Sequence, residues 1–100
     1  MKIQNYINGE FFDPISKEWL DNYTPENGVV YSQIPNSGVE DVTQAYHAAK
    51  VAFSSWSNTA LDERSKILSK IAQLIREKLP ELAAAESKDN GKPLSLATAN

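Results

Sequence analysis

Ala85 to Leu94, reading AESKDNGKPL, holds a helix end, a turn and a helix restart. Asn90-Gly91 ends the helix, because glycine takes the left-handed cap position without a Cβ clash. Leu94, Leu96 and Ala97 then read as the start of a further helix. Gly91-Lys92 is not a phosphate loop: Pro93 stands where Ser or Thr is required, and Glu86 where the first glycine should be. Lys92 reads instead as a helix-terminal surface lysine. Asp89 lies at a helix C-terminus, where the dipole disfavours a negative charge. Two explanations stay open for it. One is a local hydrogen bond to the Asn90-Gly91 turn. The other is a cation ligand, or a contact with a part of the protein outside these residues.

Upstream, the apolar period is helical back to Ser37. Pro80 breaks one helix and suits the first turn of the next, which runs from about Pro80 to Asp89 and is rich in alanine. Ile67, Leu68, Ile71, Leu74, Ile75 and Leu79 form the stripe of the helix before it. Thr59-Ala-Leu-Asp62 reads as its capping signal. Asp62 and Glu63 in its first turn, and Arg76 and Lys78 in its last, suit the dipole. Ser37-Gly-Val-Glu40 reads as a capping box opening another helix. Val42, Ala45, Tyr46, Ala49, Ala52, Phe53 and Trp56 recur at steps of three and four, which predicts a buried face.

Before Ser37 the pattern is that of short strands. Asn8-Gly9 between Tyr6-Ile7 and Phe11-Phe12 is a strong hairpin signal, since both turn residues need positive φ. Pro14 and Lys17 mark a loop. Trp19-Leu20 with Tyr23 reads as a strand, Pro25-Glu-Asn-Gly28 as a turn, and Val29 to Ile34 as a strand closed by Pro35. Such strands need a helical layer or a neighbouring subunit to be stable. The expected fold class is α+β: short antiparallel hairpins over residues 1–36, then three to four helices over residues 37–100.

Composition excludes several functions. The net charge of −3 and scattered Lys and Arg offer no basic surface, so no nucleic-acid partner is expected. There is no cysteine, which excludes disulfides, thiolate zinc sites and cysteine nucleophiles within these residues. No apolar run suits a signal peptide or a membrane span, so no membrane partner and a cytoplasmic location are expected. The glycines at 9, 28, 38 and 91 form no dinucleotide fingerprint. His47, the only histidine, has no triad partners and reads as a flank or surface residue. Trp19, Trp56, Tyr6, Phe11, Phe12 and Phe53 read as core packing rather than a stacking platform, because no basic residues interleave with them.

The ordered set of features resembles the N-terminal segment of an aldehyde dehydrogenase. The matching residues are Asn5-Tyr-Ile-Asn-Gly9 with Phe11-Phe12, Thr24-Pro-Glu-Asn-Gly28 with Val29 to Pro35, and Asp41-Val42 with Ala45 to Phe53 and Trp56. They continue with Glu63-Arg64, Ile67-Leu68, Leu82 and Glu86 to Pro93. Within the family the resemblance is strongest to 2-aminomuconic and 2-hydroxymuconic semialdehyde dehydrogenases, with betaine aldehyde dehydrogenase next.

The resemblance implies an α/β parent fold with a Rossmann-like cofactor domain, of which residues 1–100 would be the N-terminal part. It implies oxidation of an aldehyde to an acid with NAD or NADP, through a cysteine nucleophile, an activating glutamate and an oxyanion hole. None of these catalytic or cofactor-binding residues falls in this chain, so the chain alone is expected to be inactive. A homo-oligomer, dimer or tetramer, is implied. So is a monovalent cation site, with the carboxylate of Asp89 and the backbone carbonyl of Asn22, or of Tyr23 beside it. The competing expectation is a stand-alone helical interaction module. The uncapped stop inside a helical pattern, and apolar helix faces with too little strand to cover them, favour a partial enzyme.

Overall fold

The structure, a computed structural model, describes residues 1–99. The elements run β1 (Asn5–Ile7), β2 (Glu10–Phe12), β3 (Trp19–Tyr23), β4 (Val30–Pro35), α1 (Val39–Trp56), α2 (Leu61–Glu77), α3 (Leu79–Asn90) and α4 (Leu94–Ala99). This is the expected order of hairpins followed by helices. They fall into two compact units. The first holds Met1–Tyr23 with Val30–Asn58, and the second holds Thr24–Val29 with the chain from Thr59 onward.

In the first unit, β1 and β2 pair antiparallel about Asn8 and Gly9, with Ile7 opposite Glu10. Both turn residues have positive φ, 52° and 81°, as a two-residue primed turn requires. Lys17 turns the next loop at φ 58°, donating its N–H to the carbonyl of the buried Pro14. β3 and β4 pair antiparallel from Trp19 opposite Pro35. The register slips between Asn22, opposite Ser32, and Tyr23, opposite Val30, so Tyr31 is the extra residue of a β-bulge. Residues Met1 to Ile3 run parallel along the other edge of β4: Ile3 donates to the Gln33 carbonyl, and Gln33 to that of Met1.

The cap of α1 differs from the expected box at Ser37 and Glu40. The N-cap is Gly38 and the N3 residue is Asp41, one step further on. Glycine has no side chain to offer, so only one arm of the box exists: the Gly38 N–H donates to Asp41 Oδ2 at 2.9 Å. Ser37 Oγ instead accepts from the Asn5 amide at 2.8 Å.

In the second unit, α2 begins after Ala60 rather than after a threonine cap, and the Ala60 side chain makes no cap bond. Its charges follow the dipole, with Asp62 and Glu63 first and Arg76 last. Lys78 separates α2 from α3, and Pro80 occupies the first turn of α3, where its missing N–H costs nothing. Gly91 closes α3 at φ 77°. α3 and α4 pack together, and each carries one small buried residue, Ala83 and Ala97.

Burial departs from the expectation of apolar helix faces packed inside. Among the described residues the buried apolar side chains are Ile7, Ala83, Ala97 and Pro14. Val42 and Phe53 of α1 are each 66% exposed, and Ile67, Leu68, Ile71 and Ile75 of α2 are also exposed. Tyr6, Phe11 and Trp56 lie exposed too, so the aromatic residues do not form a core in this chain. Periodicity marks which face is apolar; it does not supply the surface that covers it.

Candidate functional site

Of the three positions expected to meet a cation, Asn22 and Tyr23 belong to the first unit and Asp89 to the second. Asn22 and Tyr23 sit at the β-bulge of the first unit. There the ladder is interrupted, a device that re-aims side chains next to functional sites. The Asn22 amide nitrogen donates to Tyr31 Oη and to Ser32 Oγ, both at 3.1 Å. Ser32 is only 2% exposed, so this bond satisfies a buried hydroxyl. Tyr23 lies open on the same strand.

In the second unit Asp89 lies exposed in the last turn of α3. The bonds that shape the adjoining turn come from its neighbours. The Gly91 N–H donates to the Ser87 carbonyl, and Ser87 Oγ donates to the Lys92 carbonyl at 2.6 Å. The Lys92 N–H donates to Asn90 Oδ1 at 2.8 Å. Thr24 Oγ1, nearly buried, donates to the Lys88 carbonyl at 3.1 Å. That hydroxyl answers one of the orphan carbonyls every helix end leaves. Gly91 has φ 77°, so glycine is favoured there by conformation, and a Cβ added to it would rest in ordinary contact with the Pro25 ring at 3.4 Å. Lys92 is not the exposed surface lysine expected. It is half-buried, with Nζ 2.9 Å from Glu86 Oε1, and Lys92 lines an open cleft with Pro25, Glu26 and Asn90.

The polar centre that sequence reasoning missed is Asp41. It is 5% exposed, on a helix whose apolar residues face out. Its Oδ1 accepts the Ile15 N–H at 3.0 Å and its Oδ2 the Gly38 N–H. A carboxylate so held ties the loop after β2 to the start of α1. The signal available in the sequence is an acidic residue, beside Glu40, in the first turn of a helix. Asp41 also borders a cleft of about 200 Å³ with Asn5, Tyr6, Ile7 and Ser37.

His47 is exposed and its ring lies edge-on to Tyr46, with no triad partner. Among the described residues, no cluster of three His, Cys, Asp or Glu could hold a metal. A monovalent cation needs oxygen donors rather than such a cluster, and carbonyls at a bulge are donors of that kind. The glycines stand singly, at turns and helix caps. Among the described residues, no helix is long and apolar enough to cross a membrane.

Known proteins share this arrangement. The chain is 45% identical over 97 residues to 2-aminomuconic semialdehyde dehydrogenase of Bos taurus, covering 97% of this chain and 20% of that protein. Its fold matches betaine aldehyde dehydrogenase of Staphylococcus aureus in complex with NAD+. There the TM-score is 0.91 at 34% identity, over 96% of this chain and 20% of that one. It matches an NADP-dependent enzyme of E. coli with a TM-score of 0.93 at 32% identity, again over 96% and 20%. The chain thus spans about one fifth of the length of its relatives. The profile of the aldehyde dehydrogenase family matches residues 11–100, and the chain belongs to that family.

Proposed function

We propose that this chain is the first part of the cofactor domain of an NAD- or NADP-dependent aldehyde dehydrogenase whose substrate is a muconic-type semialdehyde. The observation that carries the substrate class is the 45% identity to 2-aminomuconic semialdehyde dehydrogenase over nearly the whole chain. The nicotinamide cofactor is supported by the NAD+ complex and the NADP-dependent enzyme among its structural relatives. The cofactor accepts hydride when bound; residues 1–99 contribute the hairpins and helices of the domain that carries it. The reaction is aldehyde oxidation to a carboxylic acid, with the covalent step made by residues outside this chain, which has no cysteine.

The test is spectrophotometric. The full-length protein reduces NAD or NADP with a semialdehyde more efficiently than with betaine aldehyde or acetaldehyde. Failure to reduce either cofactor with any aldehyde overturns the reading. The isolated 100-residue chain reduces neither and binds neither. Quenching of its tryptophan emission by NAD would contradict that.

The same reading places a monovalent cation at the Asp89 carboxylate and the backbone carbonyl of Asn22 or Tyr23 in the full-length protein. Two features support it: the bulge beside Asn22, and an acidic side chain at a helix C-terminus. Potassium or sodium then raises the melting temperature of the native protein more than that of Asp89→Ala. Equal salt responses remove the site. The parent is a cytoplasmic homo-oligomer, dimer or tetramer, in this proposal, which sedimentation of the full-length protein decides.

A further inference from the structure

Three of the four glycines follow asparagine: Asn8-Gly9, Asn27-Gly28 and Asn90-Gly91. An Asn-Gly pair carries its own chemistry. The glycine nitrogen, after losing its proton to water or hydroxide, can attack the asparagine Cγ. The new N–Cγ bond closes a succinimide, the Cγ–Nδ2 bond breaks and ammonia leaves. Water then opens the ring at either carbonyl, giving aspartate or isoaspartate. The step needs no oxidant, reductant or enzyme. It does need a glycine nitrogen that is not engaged and an amide that can turn toward it.

The three pairs differ in that respect. The Gly28 N–H donates to the Thr24 carbonyl at 2.8 Å, and Asn27 Oδ1 accepts the Val29 N–H at 3.0 Å. The Gly91 N–H donates to Ser87 at 2.9 Å, Asn90 Oδ1 accepts from Lys92, and Pro25 sits against Gly91. At the tip of the β1–β2 hairpin, no group among the described residues bonds the Asn8 amide or the Gly9 N–H. Both residues are exposed and open space surrounds Gly9. The flanking strands are three residues each, so the turn opens at little cost.

We infer that Asn8 is a spontaneous modification site, converting to aspartate and isoaspartate, and that Asn27 and Asn90 are held back by their hydrogen bonds. The isoaspartate product adds a methylene to the backbone inside a two-residue turn. It therefore breaks the register that places Ile7 in the core.

Full-length protein is incubated at mildly alkaline pH, and the three sites are followed by peptide mapping with mass detection. A urea-unfolded sample gives each site's intrinsic rate. Relative to that sample, Asn27 and Asn90 are slowed at least about tenfold more than Asn8, the factor that one retained hydrogen bond of about 1.4 kcal/mol supplies. Gly9→Ala suppresses conversion at position 8 in the folded and the unfolded sample alike, which separates the chemistry from any effect on folding. Equal protection at all three sites, or faster conversion at Asn27 or Asn90, overturns the inference.

Discussion

Asp41 shows how one side chain can matter more than the stripe it interrupts. Its two oxygens hold two backbone N–H groups, and Asp41→Ala removes the acceptor of both part-buried bonds. The expected loss is about 2–4 kcal/mol, against roughly half that for Asp41→Asn, which keeps one acceptor. Urea denaturation of the two variants checks the order, and equal losses would show that the second bond contributes nothing. At Gly91, alanine meets a positive φ, so Gly91→Ala is expected to cost about 1–2 kcal/mol, which urea denaturation checks. Asp13 offers a pH-dependent case. The Gln4 amide bonds its Oδ1, with help from the nearby Lys17 charge, and its pKa is lowered below the usual carboxylate value. Its folded-state pKa being depressed, its small contribution is complete above the unfolded pKa and is lost as pH falls through the folded one. Carboxyl titration by NMR should show the Asp13 midpoint rising in Gln4→Ala; an unmoved midpoint would remove Gln4 as the cause.

Among the elements, the hairpins, the break at Pro80 and the cap at Gly91 were legible because each is decided by local backbone chemistry. Asn8-Gly9 and Gly91 require positive φ, and the sequence places the right residues there. The start of α1 was read one residue early. Ser37-Gly38-Val39-Glu40-Asp41 offers two overlapping boxes, and the choice falls to Asp41 because the Ile15 N–H, far away in sequence, claims the same carboxylate. The bulge at Tyr31 was not legible either: register depends on the partner strand and on the Asn22 bonds to Tyr31 and Ser32. The turn between β3 and β4 serves the end of α3 as well, through Thr24 and Pro25. Thr24→Val keeps the shape and removes that hydroxyl, with an expected loss of about 1 kcal/mol. Amide exchange near Lys88 should quicken with it, and unchanged exchange would show that another group satisfies the carbonyl.

For the whole molecule, the family was legible through ordered motifs, in a chain that spans one fifth of the relatives' length. The candidate cation positions came from that resemblance rather than from spacing, because a carbonyl ligand leaves no side-chain signature. The apolar residues of α1 and α2 were identified correctly as stripes, yet they stand open here. An isolated chain with such faces is expected to self-associate, and replacing Leu68 and Ile75 with lysine should return it to a monomer on sedimentation. A monomeric isolated chain without those substitutions would contradict this. The same open faces bear on synthesis. Wherever this segment emerges from the ribosome before the surface that covers it, Val42, Phe53, Leu68 and Ile71 wait exposed, which makes it a stretch of nascent chain that a holding chaperone would grip.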